Sequence, residues 1–89
     1  MQELSSIRNN LLYFLQDRLG SPSDLDENTD LIDSGLIDSL MLTDLVLHIQ
    51  AEFGVALQTG DVTPRNFRNV GSLGRLILER QMQPRRKAA

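Results

Sequence analysis

Residues 35–54, GLIDSLMLTDLVLHIQAEFG, decide the fold of this chain. Asp38 is a typical N-cap residue and Gly54 a typical residue after a helix C-terminus, so a helix is predicted to begin at Asp38 or Ser39 and to end at Gly54. Helical spacing predicts its inner face: Leu42, Leu45, Ile49 and Phe53. Other apolar residues fall outside that face: Leu40, Met41, Val46, Leu47 and Ala51. This stripe is too wide for one seam, which favours either a central helix of a bundle or a helix with an exposed docking surface.

The segment before this helix predicts another helix and a long loop. Apolar residues recur at helical spacing from Glu3 to Leu19, and Gly20 and Pro22 follow as stop signals. The composition of residues 21–37 is typical of a loop, with three leucines as expected anchors onto the core: Leu25, Leu31 and Leu36. Long ordered loops are often functional.

The segment after Gly54 predicts a connecting loop over residues 55–62, a short helix and a last helix. Thr63 and Pro64 are expected as N-cap and first residue of a short helix that continues to Phe67. Ser72 is expected to cap a last helix that stops before Pro84 and buries Leu73, Leu76 and Ile77. The predicted fold is all-α: a four-helix bundle of three longer helices and one short one, with a long first connection. Residues 1–82 are predicted to form a single domain and residues 83–89 a basic, disordered tail.

Composition excludes several classes of function. The chain has 89 residues, enough for one domain, with 40% hydrophobic and 24% charged residues, no cysteine and one histidine. Disulfides, thiolate ligands and a cysteine nucleophile are therefore excluded. The chain has no apolar run long enough to span a bilayer and no signal-peptide pattern, so we expect a soluble cytoplasmic protein. A monomer is also expected.

Charge is unevenly distributed along the chain. The net charge is -3, yet residues 20–61 contain nine acidic residues and no Lys or Arg, whereas residues 63–89 contain seven basic residues and one acidic residue. The acidic middle opposes nucleic-acid binding, so no nucleic-acid partner is predicted. Arg65, Arg68 and Arg75 either neutralise the acidic half within the molecule or face a partner.

The motif LIDS occurs twice, at residues 31–34 and 36–39. Ser34 precedes a glycine inside the loop, whereas Ser39 opens a helix, where the helix dipole and backbone N–H groups favour a phosphate. A phosphoryl-type modification therefore suits Ser39 better than Ser34. The alternative is that Asp38 and Ser39 only cap a helix.

Catalytic and metal sites find little support in the sequence. His48 lies nine residues after Ser39, about 13.5 Å further along a helix and on its opposite side, so the two cannot pair as base and nucleophile. Asp24, Asp26, Asn28 and Asp30 alternate like the oxygen ligands at the start of an EF-hand loop. Thr29 stands where that loop needs glycine, and Gly35 where it needs a bidentate glutamate, so no metal site of high affinity is predicted.

At GLIDSL, residues 35–40, the chain resembles the acyl and peptidyl carrier proteins, whose Asp-Ser-Leu motif opens the second helix of a four-helix bundle. The resemblance covers nearly the whole chain. It is stronger to the discrete carriers that serve adenylating ligases, including D-alanyl and peptidyl carriers, than to the fatty-acid synthase carrier. It implies a non-catalytic acyl carrier protein in which Ser39 receives 4′-phosphopantetheine from coenzyme A, with Asp38 and Leu40 completing the motif. The thiol of the arm would carry an acyl or aminoacyl group as a thioester.

The resemblance also implies partners. These are a phosphopantetheinyl transferase, an adenylating acyl or aminoacyl ligase, and a downstream synthase or transferase. The docking positions implied on the second helix are Leu40, Met41, Thr43, Asp44, Leu47 and Ala51. The second helix of the fatty-acid carriers is strongly acidic, whereas this helix has only Asp44 and Glu52 beyond its cap. This difference suggests that the partner is a dedicated ligase or a pathway-specific synthase in a specialised secondary-metabolite, lipid or aminoacyl pathway. The alternative from another class is a small helical interaction module without a covalent group.

Overall fold

The structure is a computed structural model that describes residues 3–19 and 25–82. It contains α1 (Leu4–Leu19), α2 (Ser39–Phe53), a 3₁₀ helix (Thr59–Asp61) and α3 (Val70–Met82). These described residues contain no β-strand, so the predicted all-α class is confirmed. No helix in that part of the chain is long and apolar enough to cross a membrane. The stop signals at residues 20 and 22 and the tail at 83–89 lie outside the described residues, and the single domain over 1–82 stays a prediction.

Both ends of α2 are set by local capping, as predicted. The Asp38 side chain accepts a hydrogen bond from the Met41 backbone N–H at 2.8 Å, which satisfies one of the unpaired donors of the first turn. At the other end, Gly54 has φ of 69° and donates its N–H to the Gln50 carbonyl at 3.0 Å. A residue with a side chain is strained at this φ, so glycine ends the helix.

The core is built where α1 and α2 pack against α3. Gly74 makes the contact between α1 and α3 close, since a Cβ added there would lie 3.1 Å from Arg8 Cγ and 3.4 Å from a Leu4 methyl. The fully buried residues include members of all three helices and of the loops: Ile7, Leu11, Leu15, Leu31, Leu45, Ile49, Phe67, Val70, Leu73 and Ile77. The inner face of α2 differs slightly from the prediction, because Met41 is buried and Leu42 only half-buried.

The start of α3 was predicted wrongly. The helix begins at Val70, and the Asn69 side chain accepts a hydrogen bond from the Ser72 backbone N–H at 2.7 Å. Asn69 therefore does the capping that the sequence assigned to Ser72. Ser72 lies in the first turn of α3 and is half-buried.

The predicted fourth helix at residues 63–67 is not confirmed. The Thr63 side chain does accept a hydrogen bond from the Asn66 N–H at 3.1 Å, and the Phe67 N–H reaches the Thr63 carbonyl at 3.0 Å, so the segment makes one turn. It does not continue, because Asn69 caps a new helix directly afterwards. The 3₁₀ helix lies instead in the segment predicted as a connecting loop.

The described part of the first loop is held by hydrogen bonds to the segment before α3. Leu25 and Leu31 are buried and Leu36 packs against the core, in agreement with their predicted role as anchors. The Leu31 N–H donates to the Arg68 carbonyl at 2.7 Å, and the Leu31 carbonyl accepts from the Ile37 N–H at 3.1 Å. Two residues after Ile37 the chain enters α2, so these bonds fix the approach to Ser39.

Candidate functional site

Ser39 is the first residue of α2 and is exposed. Its carbonyl accepts a hydrogen bond from the Thr43 hydroxyl at 3.0 Å, whereas its own hydroxyl has no partner among the described residues. Asp38, before it, uses its carboxylate to hold the Met41 N–H and its carbonyl to hold the Leu42 N–H at 2.8 Å. The Ser39 hydroxyl is therefore presented to solvent by a helix end whose neighbouring residues are already fixed.

The backbone at this helix end suits an attached phosphate. Asp38 satisfies the N–H groups of Met41 and Leu42, which leaves the N–H groups of Ser39 and Leu40 without an acceptor in the described part of the chain. Free N–H groups at a helix N-terminus, together with the helix dipole, favour negative charge. A phosphodiester on Ser39 Oγ would lie beside these donors.

Ser34, in the other copy of the motif, has a different environment. Its hydroxyl accepts a hydrogen bond from the Leu36 N–H at 3.4 Å, and its N–H donates to the Asp30 carbonyl at 3.3 Å. Backbone hydrogen bonds, mainly from Asp33, lower the pKa of the Asp30 carboxyl group, which therefore stays charged. An aspartate precedes each of the two serines directly, but only Ser34 has a second carboxylate, that of Asp30, four residues before it, where Ser39 has Gly35. The additional negative charge opposes a phosphate at Ser34.

The outer face of α2 follows Ser39 as a partly apolar surface. Leu40 is 73% exposed and Leu47 is 58% exposed, and the two lie about two helical turns apart on the same side of α2. Thr43 and Ala51 are exposed with them, and Asp44 is half-buried with its carboxylate 3.2 Å from Arg18. The structure thus brings together five of the six predicted docking residues on the surface.

Met41 is the exception, and its placement in the docking surface is corrected. The side chain is 9% exposed and belongs to the core cluster. It lies four residues before Leu45 and eight before Ile49, so helical geometry turns it toward the inner face. A residue between α2 and the rest of the core is not available to a partner.

His48 is part of a structural cluster between α1 and α2. Its Nε2 lies 2.7 Å from the Asn10 side-chain oxygen, and its ring stacks on Phe14 at 4.0 Å. Burial lowers the pKa of the imidazole, and the nearby Arg18 acts in the same direction against Glu52. The ring is therefore neutral near pH 7 and joins the two helices.

One feature of the site could not be predicted from the sequence. Arg18 pairs with Asp44 across 26 residues, which no sequence spacing signals. The part of the chain that the structure describes contains no group of three or more acidic, histidine or cysteine side chains that could hold a metal ion.

Comparison with known proteins gives the family of this chain. Residues 11–77 match the family described as "Phosphopantetheine attachment site", a segment that includes both copies of LIDS. Aminoacyl carrier protein 2 of Bradyrhizobium diazoefficiens is 38% identical over 56 residues, which cover 63% of this chain and 62% of that protein. Aminoacyl carrier protein 1 of the same organism is 34% identical over 62 residues, which cover 70% of this chain and 67% of that protein. The match to the first relative therefore spans just under two thirds of its length.

A solved structure also matches in fold. One chain of a crystal structure described as that of a FAD-dependent dehydrogenase superposes with a TM-score of 0.72 and 36% sequence identity. The superposition covers 75% of this chain and 97% of that one. The family match and the similarity to aminoacyl carrier proteins favour a carrier over a helical interaction module without a covalent group. The chain belongs to the phosphopantetheine-attachment family of carrier proteins, which are not enzymes themselves and bear a covalently attached 4′-phosphopantetheine.

Proposed function

We propose that Ser39 is the attachment residue of this carrier and that the chain carries an aminoacyl group as a thioester on its phosphopantetheine arm. The observation that carries the proposal is the exposed Ser39 hydroxyl at the first position of α2, inside the matched segment 11–77. The aminoacyl cargo rests on the two curated relatives, both of which are aminoacyl carrier proteins.

Attachment is a phosphoryl-type transfer that a separate phosphopantetheinyl transferase catalyses. Ser39 Oγ forms a bond to the phosphorus of the pantetheine phosphate of coenzyme A, and the bond from that phosphorus to the adenosine bisphosphate leaving group breaks. The hydroxyl proton passes to a base of the transferase, since no base from this chain is bonded to Ser39. The chain contributes position and the two N–H donors of Ser39 and Leu40.

The arm, once attached, supplies a thiol that this cysteine-free chain lacks. Tethering raises the effective concentration of the cargo at each partner, so the carrier needs only weak docking and exchanges partners rapidly. For that docking we propose the outer face of α2: Leu40, Thr43, Asp44, Leu47 and Ala51. Two exposed leucines give a partner apolar area, and the Arg18 pair reduces the negative field of Asp44.

Two classes of partner are proposed beyond the transferase. An adenylating ligase activates the amino acid and transfers it to the thiol. A flavin-dependent dehydrogenase is the second class, because the solved chain of similar fold comes from a structure described as a FAD-dependent dehydrogenase and is shorter than this one. Such an enzyme would remove two electrons and two protons from the tethered aminoacyl group and reduce its FAD. Location in the cytoplasm stays a prediction.

Intact-mass measurement tests the attachment residue. The purified protein is incubated with coenzyme A and a transferase of broad specificity, and a gain of one phosphopantetheinyl group is expected. Ser39→Ala should show no gain, whereas Ser34→Ala, the matched control in the other copy of the motif, should be modified at the wild-type rate. Modification of the first variant, or loss of modification in the second, would reverse the choice of serine.

Thioester formation tests the cargo separately. The modified protein is offered each proteinogenic amino acid with ATP and a panel of purified adenylating ligases, and hydroxylamine release identifies thioesters. Loading by aminoacyl ligases is expected, and loading only by fatty-acyl ligases would contradict the aminoacyl assignment. For the dehydrogenase, the loaded protein should lose the mass of two hydrogens when the flavoenzyme of the matching structure is added. An unchanged mass with fully oxidised flavin would remove that partner class.

A further inference from the structure

Most arginines of the described chain are paired within the molecule. Six arginines lie in residues 3–19 and 25–82, and four of them contact a carboxylate from another part of the chain: Arg8 with Glu27, Arg18 with Asp44, Arg68 with Asp30, and Arg80 with Asp61. Arg65 and Arg75 are exposed and make no ion pair with any described residue. Neutralisation of the acidic half therefore accounts for Arg68 but not for these two.

The two unpaired arginines line the same groove. It lies between the turn at residues 64–67 and α3, has a volume of about 310 Å³ and is open to solvent. Its lining is formed by Arg65, Asn66, Ser72, Arg75, Leu76 and Glu79. We call it the arginine groove.

The backbone walls of the arginine groove are held in place by hydrogen bonds between side chains and the backbone. Asn66 is fixed by its N–H to the Thr63 hydroxyl at 3.1 Å and by its side-chain amide to the Asp61 carbonyl at 2.9 Å. The Ser72 N–H is bonded to the Asn69 side chain, so the first turn of α3 is fixed as well. The groove is thus formed before any ligand arrives, which reduces the entropy lost on binding.

We propose that the arginine groove docks a carboxylate-bearing segment of a partner protein. Two guanidinium groups without internal partners complement carboxylates, which arginine can bind through two parallel hydrogen bonds. Leu76 gives an apolar floor for the methylene groups of acidic side chains, and Ser72 adds a hydroxyl. The mixture of charged, polar and apolar lining is typical of a protein interface.

A nucleic acid is the less suitable occupant. Glu79 lines the groove with a largely exposed carboxylate that Arg80, at 3.5 Å, neutralises only in part, but it opposes a carboxylate and a phosphate alike and does not distinguish the two occupants. The charge beyond the groove does distinguish them. The acidic segment over residues 20–61 adds further repulsion for a polyanion that extends beyond the groove. A short acidic protein segment avoids that repulsion because it needs to reach only the two arginines. This docking is independent of the arm, so the proposal stands or fails separately from the assignment of Ser39.

Titration of the ¹⁵N-labelled unmodified protein with a hexaglutamate peptide tests this docking. At about 10 mM ionic strength, where the Debye length is about 30 Å, the peptide-induced changes in backbone amide chemical shift should cluster in residues 63–67 and 70–79. The double variant R65Q/R75Q should bind about tenfold more weakly. The matched control S6E/N9D, which changes two exposed residues of α1 and lowers the net charge by the same amount, should lose less than twofold.

Three outcomes would overturn the proposal. The first is the absence of peptide-induced chemical-shift changes at the residues of the groove, and the second is an equal loss of peptide affinity in R65Q/R75Q and S6E/N9D. The third is tighter binding of inorganic phosphate or of a short DNA duplex than of the peptide. Equal loss would mean that the peptide senses net charge only. If R65Q/R75Q does not give a dispersed amide spectrum, the single variants R65Q and R75Q replace it, and each should bind about threefold more weakly. A single variant with wild-type affinity removes that arginine from the site.

Discussion

Leu40 and Met41 are adjacent in the chain just after Ser39, yet truncation of each should produce a different defect. Leu40 is 73% exposed and Met41 is 9% exposed. We therefore expect Leu40→Ala to impair modification without unfolding the protein. Met41→Ala should destabilise the fold while the modification of the folded fraction stays normal. The two variants control for each other, because each shortens one apolar side chain in the first turn of α2.

The exposures set the expected magnitudes. Truncation of a buried methionine to alanine costs about 2–4 kcal/mol, and about 1 kcal/mol lowers the Tm of a domain of this size by roughly 4–8 °C. Leu40 has little burial to lose, so its truncation should cost about 0.5 kcal/mol. A partner can instead bury the exposed part of Leu40, and this burial should stabilise the complex by about 1–1.5 kcal/mol. Loss of that contact should lower kcat/KM for phosphopantetheinyl transfer by roughly five- to tenfold.

Urea denaturation and initial rates of modification measure the two effects. The rates are taken with coenzyme A in excess and the carrier well below KM, so that kcat/KM is read directly. A Leu40→Ala protein with the wild-type kcat/KM would refute docking through this leucine. A Met41→Ala protein with wild-type stability and slow modification would refute the placement of Met41 in the core and restore it to the docking surface.

Three further predictions concern the stability of the scaffold. Asp61→Ala removes a carboxylate that is 6% exposed and bound by Arg80, and it should lower the unfolding free energy in urea by about 2–3 kcal/mol. The control Asp44→Ala, at a half-buried ion pair whose side chains both remain accessible to solvent, should lose less than about 1 kcal/mol. Hydrogen bonds from Arg80 hold the pKa of Asp61 below 3.8, so its contribution to stability is present above that pH and disappears as the pH falls through the lowered pKa. The unfolding free energies of wild type and Asp61→Ala should therefore converge in acid. A difference in unfolding free energy that stays constant with pH would contradict the Asp61–Arg80 pair. Burial lowers the pKa of His48 below 6.5, so the wild type should lose stability as the pH falls from about 7 through 6.5 toward that lowered pKa. In thermal melts, the Tm of His48→Gln should depend less on pH over this range. Gly54→Ala places a side chain at φ of 69° and should cost about 1 kcal/mol, so an unchanged Tm would contradict the left-handed end of α2.

The ends of α2 could be predicted from the sequence because the interactions that set them are local. Asp38 reaches a backbone N–H three residues away, and Gly54 reaches a carbonyl four residues back. Both bonds form within one helical turn and need no contact from elsewhere in the chain. The placement of Ser39 at the exposed first position of the helix follows from the same local geometry.

The buried face of α2 was harder to predict because two neighbouring positions are apolar. Met41 and Leu42 lie four and three residues before Leu45, and both spacings are compatible with one helix face. Helical spacing predicts that Leu42 is buried, whereas the structure buries Met41 more fully. Only the direction from which the rest of the core packs against α2 decides between them, and that direction is a tertiary property.

The segment between residues 63 and 70 was misjudged for a related reason. Thr63 forms the predicted cap, but the chain has a second cap-forming residue, Asn69, six residues later. In the structure the Arg68 carbonyl accepts from the Leu31 N–H, a bond between residues 37 positions apart. In a continuing helix that carbonyl would accept from the Ser72 N–H, which is bonded to the Asn69 side chain instead. A contact with a loop distant in sequence thus accompanies the Asn69 cap where the turn ends and α3 begins.

The ion pairs change what the uneven charge of the sequence means for partners. Four carboxylates of the acidic middle, at residues 27, 30, 44 and 61, each contact an arginine from α1 or from the segment after residue 63. Around Leu40 and Leu47 the outer face of α2 therefore presents apolar area with little unbalanced charge, because Asp44, the one carboxylate among the proposed docking residues, is paired with Arg18. Long-range steering of a basic enzyme needs unpaired carboxylates on that face. We therefore expect the proposed partners at Ser39 to be selected by short-range contacts with Leu40 and Leu47, and electrostatic attraction to act instead through Arg65 and Arg75 in the proposed arginine groove.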